Sequence, residues 1–391
     1  MLRFLTAGES HGPALTAIIE GFPAGVELSK DRINAQLERR RTTYGRGGRM
    51  KIEKDQVEIL AGVRGGLTLG SPLALQIVNL DWKNWREVMS GDPLEYDAEK
   101  AAEKAVTRPR PGHADLAGGL KYHHCEDLRN VLERASARET AIRVAVGTAG
   151  RILIESLNCH LFSHVVQIGG ARLAECSLPA RELAEMASSS PVGCADPGAA
   201  AAMMSEIDKA AAGGDTLGGI FEVICTGLPA GIGSYVHWDR RLDSRLAAAV
   251  ISIPSVKGVD FGLGFRGAAH SGAAYHDQIQ RSPQGVFYRP TNRAGGLEGG
   301  VTNGEPLVLR AVVKPVPTLG KPLSSVDLKT GANCPAAAER SDVCVVPAAA
   351  VLAEAVVAWE IAAALLEKFG GDSLSEIEDN YRRFLASSGQ I

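Results

Sequence analysis

The chain has 391 residues, of which 45% are hydrophobic and 22% charged, and its net charge is −3. This is ordinary globular composition, long enough for one large domain or two. The weak negative charge excludes a global pull toward nucleic acid or an anionic membrane, so any anion binding has to come from a local cluster of arginine and lysine. Aromatic residues make up only 5%, while glycine reaches 44 residues. The core is therefore expected to be Ala, Val, Leu and Ile, with many tight turns between elements. The seven cysteines include no C-x-x-C pair and are odd in number. That pattern argues against a disulfide framework or a zinc ribbon and for reduced thiols in the cytoplasm. The opening MLRFLTAGESHG has no apolar signal-like run.

In chain order, residues 2–6 read as a strand that ends at Gly8-Glu9-Ser10-His11-Gly12. Glycines on both sides turn the backbone sharply and present Ser10 and His11 at a strand end. A histidine can donate a proton near neutral pH, as expulsion of an anionic leaving group requires; a structural histidine in a turn reads equally well. A second strand follows at 15–21. Ser29 can then cap a helix that ends in Arg39, Arg40 and Arg41. The loop after it carries Arg46 and Arg49 among glycines, followed by Lys51. Positive charge at a helix C-terminus explains the first three arginines. It does not explain the Gly-Arg-Gly-Gly-Arg loop, which fits bidentate clamping of phosphate or carboxylate.

Strands are expected at 56–63 and 73–78. Arg108-Pro109-Arg110-Pro111-Gly112-His113-Ala114-Asp115 reads as a rigid loop in which Asp115 lies near enough to orient the His113 imidazole. His123-His124-Cys125 lacks a second ligand pair, so no metal site is expected. Ser136 and Glu139 have capping-box spacing ahead of a helix at 141–157, and Arg134 and Arg138 flank that helix start as an anion site.

A strand at 161–168 precedes an Ala-, Ser- and Pro-rich stretch at 178–214, readable as an insertion or peripheral subdomain, although one domain over 1–391 is the simpler reading. Further strands are expected at 221–226, 307–313 and 343–346. The glycine-rich segment 258–272, with His270 and His276 in or just after it, reads as a mobile loop or lid. The glycine run at 292–304 matches neither the dinucleotide nor the Walker pattern, and reads as backbone packed on a flat ligand or on other backbone. Lys314 to Thr318 and the pair Arg340 and Asp342 complete the list of possible site segments. A long Ala-rich helix from Pro347 ends at Gly370-Gly371. Glu354, Glu360 and Glu367 make it a buried helix rather than a membrane span. A last helix is expected at 374–385. The fold class read from these elements is mixed α and β with largely antiparallel sheets.

Six of these segments, in order, resemble the chorismate synthase family: Gly8 to Gly12, Gly45 to Met50, Arg110 to Asp115, Arg134 to Glu139, Ala294 to Gly300, and Arg340 to Cys344. The resemblance runs from Met1 to about Gly371. It implies an α+β fold, a β-α-β sandwich of helices layered between antiparallel sheets, in a cytoplasmic homotetramer. It also implies anti-1,4-elimination of phosphate from 5-enolpyruvylshikimate 3-phosphate to give chorismate, the last step of the shikimate pathway. The reaction needs reduced FMN (FMNH2) without net redox change, and NADPH enters only as an indirect reductant.

By the same resemblance, His11 protonates the departing phosphate and His113 serves the reduced flavin. Asp342 assists proton removal with Ser10. Flavin contacts fall on Arg134, Ala135, Ser136, Pro254, Ser255, Gly299, Lys314, Pro315, Val316, Pro317, Thr318 and Arg340. Substrate or NADP falls to Arg40, Arg46, Arg49, Arg110 and Arg138. The Pro254-Ser255 pair departs from the family pattern, which keeps backbone contacts there but no side-chain contact at Pro254. Two rivals stand beside this reading. One is a flavin-independent phosphatase or phosphotransferase acting on a small phosphorylated carboxylate. The other is an RNA-binding module built on the 39–51 patch, which low aromatic content opposes.

Overall fold

The computed structural model of the chain describes residues 1–48, 54–174, 178–339 and 342–388. Arg49, Lys51, Cys176 and Arg340 therefore lie outside the described residues. Two antiparallel sheets enclose a layer of helices. The first sheet is built from β1 (Arg3–Ala7), β2 (Ala14–Glu20), β3 (Val57–Ala61) and β4 (Leu73–Val78), in the order β1-β2-β4-β3. Its strands alternate: Leu15, Ala17 and Ile19 on β2, and Leu73, Leu75 and Ile77 on β4, are buried. Register pairs Leu15 with Ile77, so these side chains form one apolar face toward the helices. Each such fully buried Leu or Ile contributes about 1.5–3 kcal/mol.

The second sheet contains β5 (His160–Ile168), β6 (Ala171–Arg172), β7 (Gly219–Thr226), β8 (Val256–Phe261) and β9 (Leu307–Val313), in the order β8-β9-β7-β5-β6. The chain-order helices are α1 (Lys30–Arg41), α2 (Asp115–Tyr122), α3 (Arg129–Ala135), α4 (Thr140–Ser156), α5 (Ala180–Ser189), α6 (Pro197–Gly213), α7 (Leu242–Ile251), α8 (Val346–Phe369) and α9 (Leu374–Ser388). Helix α4 packs on the first sheet, α8 on β5 and β7 of the second, and α4 and α8 on each other. They approach closely at Gly147, where a Cβ would lie 2.3 Å from the Ala355 carbonyl oxygen. Helix α8 is buried along most of its length, so its apolar character belongs to the core.

Ser29 caps α1 as expected, its Oγ accepting from Arg32 N at 3.3 Å. Ser136 acts slightly earlier than expected: it caps a 3-10 turn over Ala137–Glu139, and α4 follows from Thr140. Two expectations are corrected. Residues 343–346 do not form a strand: Cys344 makes a single bridge to Leu217, and α8 begins at Val346 with Pro347 in its first turn. The 258–272 segment is not a free loop. Its first part is the edge strand β8, and short helical turns at Gly264–Ala269 and Gly272–Tyr275 follow. A register shift at Gly258 hides that strand from a period-two reading. The 178–214 stretch supplies α5 and α6, which pack on β5 and β6.

Candidate active site

Two helix starts and several loops meet at a cavity of roughly 430 Å³, within the range of small-molecule sites. The starts of α4 and α8 open onto it through Ala137, Thr140, Val345, Ala348 and Ala349, and the positive ends of the two helix dipoles favour an anion there. The wall between them is apolar, with Leu132, Ile253, Val316 and Leu352.

His11 reaches the cavity because Gly8 turns the chain at the end of β1. Gly8 has φ 114°, and a Cβ there would lie 2.3 Å from the Ala14 carbonyl oxygen. The His11 Nδ1–H donates to Glu133 Oε1 at 2.8 Å, and Glu133 is held in turn by Arg129 at 3.0 Å. Burial pushes the Glu133 carboxyl up, but the His11 hydrogen bond and the Arg129 charge hold it below its ordinary value. The imidazole stacks on Trp85 with ring centroids 4.0 Å apart.

His113 repeats the arrangement. Its Nδ1–H donates to Asp115 Oδ1 at 2.6 Å, and Arg110 grips the same carboxylate through Nε at 2.8 Å and Nη2 at 3.0 Å. Burial raises the Asp115 carboxyl, and the hydrogen bonds from His113 and Arg110 more than reverse this. Both histidines thus engage Nδ1 with a buried carboxylate, which leaves Nε2 as the ring nitrogen for the cavity.

The arginines divide by environment. Arg40 is 3% exposed. Its Nη2 donates to Thr140 Oγ1 at 2.7 Å and Ala137 O at 3.0 Å, while Nη1 has no hydrogen-bond partner and stops 3.7 Å from Asp55 Oδ2. Burial, then the Arg46 charge, with Arg138 adding and Asp55 opposing, pushes this guanidinium down to about 9. Arginine holds its proton so firmly that such crowding calls for an anion rather than for proton loss. Arg138 bonds Asp55 at 2.5 Å and Asn79 at 2.8 Å. Arg46 pairs with Asp342 at 3.0 Å, and Asp342 Oδ1 accepts from Gly47 N at 2.6 Å.

Of the sequence-predicted residues, the cavity gathers Ser10, His11, Arg40, Arg46, Arg110, His113, Arg138 and Asp342. Ala135, Ser136, Pro254, Ser255, Lys314, Val316, Pro317 and Thr318 also line it. Ser255 takes φ 72°, a left-handed value rare for a residue with a side chain, and its carbonyl accepts from Lys314 N at 2.9 Å. Lys314 Nζ bonds Gly112 O, tying this strand end to the His113 loop.

Arg134, Pro315 and Gly299 are not in the lining. Arg134 instead bonds Gly8 O at 2.9 Å and Thr6 Oγ1 at 2.9 Å, anchoring the end of β1. Gly299 sits in the turn between the short strands Leu297–Glu298 and Val301–Thr302. Arg49 and Arg340 fall outside the described residues. Sequence reasoning missed Glu133, Asp55, Asn79 and Trp85. Glu133 lies in α3, a helix that no sequence signal marked, and Trp85 is the turn residue between the short helical pieces Leu80–Asn84 and Arg86–Met89, with no motif around it.

The chorismate synthase family profile matches residues 2–366. Relatives named chorismate synthase include those of Moorella thermoacetica, 60% identical over 98% of this chain and 99% of the relative, and Desulforamulus reducens, 58% identical over 97% of each. That of Geobacillus kaustophilus is 55% identical over 98% of each. A solved structure titled "Crystal Structure of Chorismate Synthase" matches with a TM-score of 0.79 and 39% identity, over 100% of this chain and 99% of that one. Whole-length similarity at this level, on a chain whose arginines and histidines converge in one cavity, leads to one conclusion: the chain belongs to the chorismate synthase family.

Proposed function

We propose that this lyase converts 5-enolpyruvylshikimate 3-phosphate to chorismate and phosphate in the cavity between the α4 and α8 helix starts, with reduced FMN bound beside the substrate. The observation that carries the proposal is the buried Arg40 guanidinium, crowded by Arg46 and Arg138, whose Nη1 makes no hydrogen bond and meets Asp55 only at 3.7 Å, an arrangement an anionic substrate would satisfy. The flavin-independent phosphatase alternative has no support from the family assignment.

The lining fits a flavin beside a polyanion. Leu132, Ile253, Val316 and Leu352 offer an apolar wall to a flat ring, and Lys314 and the two helix starts offer positive ends to a phosphate. Ala135, Ser136, Pro254, Ser255, Lys314, Val316, Pro317 and Thr318 would hold the flavin. When bound there, reduced FMN would supply electron density transiently, with no net redox change.

The residues of the chain do the rest. Arg40 and Arg46 hold the anionic substrate, with Arg138 fixing Asp55 between itself and Arg40. His11 holds a proton on Nε2 for the departing phosphate oxygen, and His113 presents Nε2 to the flavin side. Asp342, with Ser10 nearby in the lining, receives the proton from the ring carbon. Charges placed in advance in a half-closed cavity stabilise the leaving phosphate more than water can. Arg40 and Arg46 share one cavity with His11, which favours substrate over NADP as their ligand and leaves NADPH as an indirect reductant. We read the chain as a single domain over 1–391, in a cytoplasmic homotetramer.

Flavin binding tests the cofactor part. Titration of purified protein with FMN, followed by flavin fluorescence, is expected to saturate, and to weaken about tenfold or more in Lys314→Ala. No saturable binding would remove the flavin from the reading.

A further inference from the structure

Glu133 belongs to no motif that marks the site, yet it touches the Ser10-His11 pair three ways. Its carboxylate accepts from the His11 ring at 2.8 Å and 3.0 Å and from the His11 backbone N–H at 2.8 Å. Its backbone carbonyl accepts from Ser10 N at 2.9 Å. The side chain is 1% exposed, and Arg129 Nη1, also buried, donates to Oε1 at 3.0 Å. Trp85 closes the face of the imidazole, and Lys104 Nζ and the Arg129 guanidinium stand 4.1 Å and 4.8 Å from the Trp85 ring centroid.

This is a complete second layer. The carboxylate is desolvated, so it strongly prefers a donor; the ring supplies Nδ1–H and the backbone supplies N–H. The bonds from His11, with the Arg129 charge added, keep the carboxylate charged. The ring can then neither flip nor change tautomer without breaking the bond to a buried charge.

We propose that Glu133 is the positioning residue for His11: it fixes the imidazole with Nδ1–H bonded inward, so that Nε2 is the nitrogen that delivers a proton into the cavity. Arg129 fixes the Glu133 carboxylate with a further hydrogen bond, and Trp85 blocks rotation of the ring. The inference rests on the reading of His11 as the proton donor.

A kinetic cycle on the full enzyme with reduced FMN and 5-enolpyruvylshikimate 3-phosphate separates the two. Glu133→Gln keeps shape and removes the charge. Its kcat is expected to fall about 10- to 100-fold, with KM for the substrate within about twofold. In a His11→Asn background the same change is expected to cost nothing further, because the two residues act as one unit. Nitrogen-15 spectra of the labelled His11 ring are expected to show one tautomer in the parent and a mixture in Glu133→Gln. Glu133→Asp, which keeps the charge and withdraws it by a methylene, enters the same cycle if the amide variant does not fold. Full turnover in His11→Asn would defeat the reading of His11 itself. A slow His11→Asn beside an unimpaired Glu133→Gln would overturn the inference alone. So would an equal loss from Glu133→Gln in both backgrounds, which would make Glu133 a prop of the fold.

Discussion

The His113 ring, on the proline-braced loop, and the Asp115 carboxylate, two residues on at the start of α2, lie 2.6 Å from Nδ1 to Oδ1. Asp115 is fully buried and also receives the Arg110 guanidinium and the Arg110 backbone N–H. Asp115→Asn is therefore expected to weaken the loop twice. It frees the His113 tautomer, and it leaves Arg110 buried without a counter-charge, at about 3–5 kcal/mol. Thermal unfolding and turnover should fall together; a variant of unchanged Tm would contradict the contact analysis.

His11→Ala and His113→Ala should each lower kcat by about 100-fold or more while the protein stays folded. Both rings sit at the cavity edge and hold no part of the apolar core. Phosphate release under saturating substrate, read beside circular dichroism, checks this. Near-normal rates in both variants would remove the acid from the mechanism.

Arg40→Met should separate stability from binding. Removing the guanidinium loses its bonds to Thr140 and Ala137 and its pairing with Asp55, and this loss is offset by relief of the like-charge crowding from Arg46 and Arg138. A ligand that satisfies that group in the native enzyme raises its Tm by mass action. The expected result is a similar unliganded Tm with a much smaller rise on adding substrate. An equal rise in parent and variant would place the substrate elsewhere.

Glu354, in the middle of α8, accepts from Arg39 at 2.8 Å and 2.9 Å, from Arg151 at 2.7 Å and from Ser163 Oγ at 2.6 Å. Burial pushes its carboxyl up, and Arg39, Arg151 and Ser163 together hold it below the ordinary 4.5. A depressed folded-state value contributes stability above about pH 4.5 that is lost as pH falls through the folded value. Glu354→Gln is expected to cost about 3–5 kcal/mol at neutral pH. The gap to the parent should narrow in acid, as denaturant titrations at several pH values would show. A constant gap would mean that packing, not charge, holds this position.

Much of the fold was legible because its strands alternate and because Ser29 and Ser136 cap the start of α1 and the turn that leads into α4. Leu73–Val78 and Leu307–Val313 were read to the residue, since one face of each sheet is buried and the other is not. The strand at Val256–Phe261 escaped because Gly258 interrupts its period, and 343–346 looked like a strand because Val343, Val345 and Val346 are β-branched. The arginines and histidines of the site were visible as dense local motifs. Glu133, Asp55 and Asn79 were not: each meets its partner across many residues of chain, and a single sequence shows nothing of such a meeting. The start of α4 was read as an anion site from its flanking arginines, but that the start of α8 shares the same cavity became legible only in the fold.

The most direct test incubates purified protein anaerobically with reduced FMN and 5-enolpyruvylshikimate 3-phosphate and measures phosphate and chorismate together. Equimolar release of both, absent without reduced flavin, is the expected result. Phosphate without chorismate, or release that ignores the flavin, would contradict it.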